Sequence, residues 1–198
     1  MEAQFEELIE SFITGKVGQS GSFINPQLSA ALVQNIMAHK ERGALKTAGI
    51  GSAIQHTHTT SIRSDKTLWL KEDSDNDAER EFMDIIARFT AYLNRTCYTG
   101  INACEFHYTL YEPGAFYARH KDQFRNNNSR KFSMINYLND NWMAADGGQL
   151  IIYHNDREAQ YILPENGKTV FFQSDELDHE VAIAHRPRMS VTGWLKKV

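Results

Sequence analysis

The spacing of apolar residues changes character halfway along the chain. In the first half they recur every three or four positions. Phe5, Leu8, Ile9 and Phe12 predict a short N-terminal helix. In INPQLSAALVQNIMAHKERG, Leu28, Leu32, Val33 and Ile36 form a second stripe. Asn25 suits the N-cap, Pro26 the first turn and Gly43 the stop. A third helix is predicted from about Ala78 to Asn94, with Phe82, Ile85, Ile86, Phe89 and Leu93 on one side. Each stripe needs a surface to cover.

After Asn102 the pattern becomes alternating. FHYTLY, YARHKD, KFSMINYLN, QLIIYHN, QYILP, KTVFFQS and RMSVTGWL all read as short strands. They are separated by EPG, NNNS, ADGG, HNDR, PENG and a DELD loop, each rich in turn-forming residues. This predicts a single α+β, mainly β domain over residues 1–198. Residues 1–100 would give mainly helical support, and residues 101–198 an antiparallel sandwich or barrel with the helices on one outer face.

Composition narrows the class. A chain of 198 residues that is 41% hydrophobic can bury a sizeable core. A net charge of −4 argues against general binding to nucleic acid or an anionic membrane. No apolar stretch reaches the ~20 residues that span a bilayer. The opening MEAQFEELIE lacks the basic-then-apolar layout of a secretion signal. Cys97 and Cys104 form neither a CxxC nor a disulfide framework, so a reducing, cytoplasmic setting is expected.

Candidate chemistry comes from two distant stretches. YARHKD puts His120 and Asp122 two apart, a spacing that projects both from one face of a strand. His179, on a distant strand, would complete two imidazoles and a carboxylate. Such a set on one face of an octahedral ion leaves positions open, as in non-haem Fe(II) oxygenases. On the last strand, Arg188, Ser190, Thr192 and Trp194 share one face, and Met189, Val191 and Leu195 the other. The apolar face belongs under the helices, so Arg188 would look inward. A buried guanidinium needs an anion, and its fork matches a carboxylate. A dicarboxylate held by the metal at one end and Arg188 at the other would meet that need; 2-oxoglutarate has that chemistry.

Taken alone, each feature has a plainer meaning: an exposed strand pair, a loop histidine, a surface charge. The ordered combination favours the metal. His56 and His58 lack a nearby carboxylate at ligand spacing and read as strand or loop residues; His107 and His154 read as structural or exposed. DSDNDA imitates a calcium loop, but Ala78 stands where such a loop needs Gly, so it reads as a solvated acidic turn.

From about Phe23 to Trp194 the chain resembles the prolyl-hydroxylase branch of the Fe(II)/2-oxoglutarate oxygenases. The likeness is to the hypoxia-inducible-factor prolyl hydroxylases and their bacterial relatives. It rests on SIRSDKTLW, YEPGAFYARHKD, RKFSMINYLNDNW, GGQLIIY, VFFQSDELDHEV and RPRMSVTGWL. The resemblance implies a double-stranded β-helix, or jelly roll. It implies His120, Asp122 and His179 as iron ligands and Arg188 as the clamp on the distal carboxylate of 2-oxoglutarate. Tyr111, Tyr137 and Thr192, with Ile135 and Leu150, would line the cosubstrate pocket. Tyr117, Trp194 and Arg130 would lie on the substrate side. Arg63 and Asp65 would sit in a mobile loop that covers substrate.

The implied activity is hydroxylation of a prolyl residue in a protein, with dioxygen consumed, succinate and carbon dioxide released, and ascorbate as an auxiliary reductant. Elongation factor Tu is a first candidate substrate. The same chemistry on a small molecule or free amino acid, a non-catalytic metal-binding sensor barrel and a zinc hydrolase stay open. The acidic tract from Lys71 to Glu79 departs from the family pattern and leaves the substrate undefined.

Overall fold

All three apolar stripes form helices, and the second is bounded where its cap residues predict. The computed structural model describes residues 1–49, 62–71, 73–123, 127–155 and 157–198. Helix α1 spans Glu2–Gly15, α2 Pro26–Glu41 and α3 Asp77–Cys97. The Asn25 side chain caps α2 by accepting from Leu28 N at 2.7 Å. Gly43 follows the helix in the left-handed region, with φ +65°. Asn76 caps α3 by accepting from Glu79 N at 3.1 Å.

The strands, in chain order, are β1 (Val17–Ser20), β2 (Lys46–Thr47), β3 (Lys66–Trp69), β4 (Ala103–Tyr111), β5 (Tyr117–His120) and β6 (Arg130–Tyr137). They continue with β7 (Leu150–Asn155), β8 (Glu158–Ile162), β9 (Thr169–Gln173), β10 (Asp178–Val181) and β11 (Arg188–Lys196). They form a larger sheet ordered β1-β9-β6-β11-β4-β3-β2 and a smaller sheet ordered β5-β10-β7-β8. Neighbouring strands run antiparallel throughout. The two sheets make the jelly roll implied by the sequence.

The first half is not purely helical. β1 borders the larger sheet by pairing with β9, and β3 and β2 extend its other edge beyond β4. VGQS and Lys46–Thr47 are too short to alternate visibly. Their extended state comes from the neighbouring strand, as expected where tertiary pairing outweighs local preference.

Strand alternation divides the apolar residues between two cores. Phe106, Tyr108 and Leu110 of β4, with Val191 and Leu195 of β11, face the helices and pack with Leu8, Leu32, Phe82 and Phe89. Tyr111, Ile135, Tyr137, Leu150, Ile152 and Phe172 fill the space between the sheets. Phe89 of α3 meets Phe5 of α1 at 5.2 Å and Phe171 of β9 at 5.5 Å, tying two helices to the sheet. Fully burying each such ring contributes about 2–3 kcal/mol. Met189, Val191 and Leu195 lie on the helix side as predicted, which leaves Arg188 and Ser190 facing inward.

Candidate active site

Two histidines meet because two strands do. His120 ends β5 and is the direct antiparallel partner of His179 on β10. β5 stops at His120, so Asp122 does not continue the strand; it sits in the bend that follows. The expected strand projection is therefore corrected: a turn, not a pleat, swings the carboxylate back onto the imidazoles. Asp122 Oδ1 is 3.4 Å from His120 Nε2, and Oδ2 is 3.5 Å from His179 Nε2. One ligand atom from each of the three residues falls within 4.8 Å of the others.

The remaining atoms orient this set. His120 Nδ1 bonds the carbonyl of Ala118 at 2.8 Å, and His179 Nδ1 bonds that of Leu177 at 3.2 Å. A carbonyl only accepts, so each Nδ1 carries a hydrogen, which leaves each Nε2 facing Asp122 as the atom a metal would take. Ser133 Oγ donates to Asp122 Oδ2 at 2.7 Å and is itself 3.0 Å from Ser174 Oγ. Phe172 meets the His179 ring edge-on at 4.9 Å.

Burial opposes charge on Asp122, but His179, supported by His120, holds its carboxyl well below the usual range. Burial, followed by the charge of His179, lowers His120. Burial also opposes charge on His179, but Asp122 outweighs it and raises the group. His179 thus holds a proton better than His120. A metal must compete with that proton, so it binds more tightly as pH rises.

Arg188 lies deeper and is 2% exposed. Its Nε donates to the carbonyl of Gly148 at 2.8 Å, and its guanidinium lies 4.8 Å from the Tyr111 ring and 5.0 Å from that of Tyr137. Among the described residues, Arg188 Nη2 and the Tyr137 hydroxyl are buried with no hydrogen-bond partner. Burial pushes Tyr137 up to about 12 against the opposing charge of Arg188, and burial also raises Tyr111 well above its ordinary value. Tyr137 thus keeps its proton beside an unsatisfied guanidinium nitrogen. Two converging buried donors of this kind suit a carboxylate. Ile135 and Leu150 belong to the same apolar interior, and Thr192 Oγ1 lies 3.0 Å from Ser190 Oγ.

The residues expected on the substrate side form two further groups. Arg130 pairs with Glu105 at 2.7 Å, covers the Trp194 ring at 3.4 Å and donates to the backbone carbonyl of Asp122 at 3.2 Å. Trp194 also meets Trp69, which is 51% exposed, at 6.2 Å. Tyr117 stacks on His120, and Arg63 covers the outer face of Tyr117.

Asp65 turns inward beneath Arg63. It is fully buried and accepts from Arg63 at 2.8 and 2.6 Å. A buried carboxylate needs such a partner, so Asp65 serves as the anchor of Arg63 rather than as an open face. His56 and His58 lie outside the described residues. His107 is buried against Trp69 and Trp194.

Sequence reasoning missed Ser133, Ser174, Phe172 and the Gly148 carbonyl. None belongs to a spaced motif. Period two alone could have flagged Ser133, because it shares its face of β6 with Ile135 and Tyr137.

The donor set of two imidazoles and one carboxylate is that of non-haem Fe(II) sites, and the paired donors of Arg188 and Tyr137 fit the far carboxylate of 2-oxoglutarate. The chain matches the 2OG-Fe(II) oxygenase superfamily over residues 106–196. A prolyl-4-hydroxylase from Pseudomonas putida superposes with a TM-score of 0.88 and 30% identity, covering 98% of this chain and 99% of that one. A prolyl hydroxylase from Trichoplax adhaerens, solved with a hypoxia-inducible-factor peptide, shares the fold: TM-score 0.87, 22% identity, 98% and 90% coverage. A curated relative, prolyl 3,4-dihydroxylase OGFOD1 of Ostreococcus tauri, is 33% identical over 100 residues, 43% of this chain. The match spans only 19% of that relative's length. Whole-length likeness to a solved enzyme, joined to a site of the right chemistry, leads to one assignment: the chain belongs to the 2OG-Fe(II) oxygenase superfamily, in the branch that includes the prolyl hydroxylases, and is a 2-oxoglutarate-dependent dioxygenase.

Proposed function

We propose that this dioxygenase hydroxylates a prolyl residue within a protein, in the manner of a prolyl 4-hydroxylase, in a reducing cytoplasm. The observation that carries this reading is the 30% identity to a prolyl-4-hydroxylase over 98% of the chain. The exposed ring of Trp69, 6.2 Å from that of Trp194, adds support, because a prolyl ring packs well on aromatic faces.

His120, Asp122 and His179 would hold Fe(II). When bound, iron supplies the oxidising chemistry that couples loss of carbon dioxide from 2-oxoglutarate, giving succinate, to hydroxylation of a C–H bond. The protein's own work is placement. Nδ1–H bonds to backbone carbonyls keep both Nε2 lone pairs directed inward. Ser133 fixes the carboxylate plane. Arg188 and the protonated Tyr137 take the distal carboxylate. Ile135 and Leu150 keep water from this end of the pocket, where charge–charge attraction then counts for more. Ascorbate would serve as an external reductant.

The substrate test uses Fe(II)-loaded protein, 2-oxoglutarate and oxygen with bacterial lysate proteins, elongation factor Tu first among them, followed by peptide mass spectrometry. A one-oxygen gain on a proline, absent with Asp122→Ala, is the expected result. Oxygen gained only by small molecules in the same lysate would overturn the protein substrate.

A further inference from the structure

Tyr117 lies between a cation and a metal ligand. Its ring stacks on His120 with centroids 3.5 Å apart and planes 14° from parallel. On its other side, the Arg63 guanidinium lies 4.2 Å from the ring centroid. Arg63 is itself fixed by its fork of bonds to buried Asp65. The backbone joins the same layers: Ala118 N donates to Ile62 O at 2.8 Å, Ser64 N to Phe116 O at 3.1 Å, and Arg63 bridges Tyr117.

We propose that Arg63 and Tyr117 are positioning residues for His120, so that residues 62–65 and this metal ligand behave as one stack. The proposal rests on the metal-binding reading of His120. A single hydrogen bond from Nδ1 to Ala118 O leaves the imidazole free to tilt about that bond. His179 restricts it from one direction only, at 4.3 Å and 55° between ring planes. Tyr117 closes the other face. A ring already in contact with a guanidinium resists displacement, since cation–π attraction contributes about 0.5–2 kcal/mol depending on desolvation. The Arg63 side chain is 14% exposed, so this contact is largely shielded from water.

The test is an anaerobic Co(II) titration of the full chain without 2-oxoglutarate, read by the visible absorption of bound Co(II). Tyr117→Ala should weaken binding roughly 10–100-fold, the range for residues that orient metal ligands, and should shift the Co(II) spectrum. Tyr117→Phe keeps the ring and should restore both the affinity and the spectrum. A double variant, Arg63→Gln with Asp65→Asn, removes the cation without stranding a buried carboxylate and should reproduce the Tyr117→Ala change in direction. It also covers the case in which Tyr117→Ala does not fold, which a thermal melt would show. Wild-type affinity and spectrum in the folded variants would overturn the proposal. A wild-type protein that binds no Co(II) would instead overturn the triad on which it rests.

Discussion

Ser133 on β6 donates a 2.7 Å hydrogen bond to Oδ2 of Asp122, and both side chains are shielded from solvent. The bond sets which way the carboxylate turns toward the histidines. Ser133→Ala is therefore expected to weaken Fe(II) or Co(II) binding by roughly 10–100-fold without unfolding the protein. Metal titration beside a thermal melt checks this, and unchanged affinity would show that the bend at Asp122 is sufficient by itself.

Arg188 sits on β11 of the larger sheet, and His120 and His179 on β5 and β10 of the smaller one, so clamp and metal ligands should fail separately. Arg188→Ala should weaken 2-oxoglutarate binding by roughly 30-fold or more, from the 2–5 kcal/mol that truncating a buried charge pair costs, while metal binding stays close to wild type. Calorimetric titration of each ligand distinguishes the two. An equal loss of both would contradict the clamp.

His107 yields a pH prediction away from the metal. Burial lowers it from 6.5 to about 4, against weaker opposition from its bond to the Tyr108 carbonyl. The unfolded chain binds a proton there that the folded chain refuses. Stability should therefore fall as pH drops from 6.5 toward about 4, then level off. The full difference amounts to at most about 3 kcal/mol. Urea unfolding of protein without metal, at neutral pH and at the acid end of this window, should show a larger loss for wild type than for His107→Gln. Equal losses would mean that His107 is protonated in the fold.

Much of this was legible because the signals were local. Asn25, Pro26 and Gly43 mark the ends of α2 through cap chemistry that the sequence carries outright. The alternation of Arg188 and Ser190 against Met189 and Val191 predicts which side of β11 meets the helices. What the sequence hid depends on neighbours. β2 is two residues long and extended because β3 lies beside it. The break of β5 before Asp122 follows no turn residue between Ala118 and Lys121, so pattern alone continues the strand. The pairing of Asp65 with Arg63 depends on the burial that the fold imposes on Asp65. Ser133 carries no motif, and only the meeting of β6 with the bend after β5 gives it a role.

The central claim is oxygen-dependent turnover of 2-oxoglutarate at the site built by His120, Asp122 and His179. The measurement that tests it most directly is succinate formation by protein loaded with Fe(II) without oxygen, then exposed to oxygen, with and without lysate protein. Wild type is expected to form succinate slowly alone and faster with lysate, and Asp122→Ala to form none above background. Fe(II)-loaded wild type that forms no succinate under either condition would contradict the account.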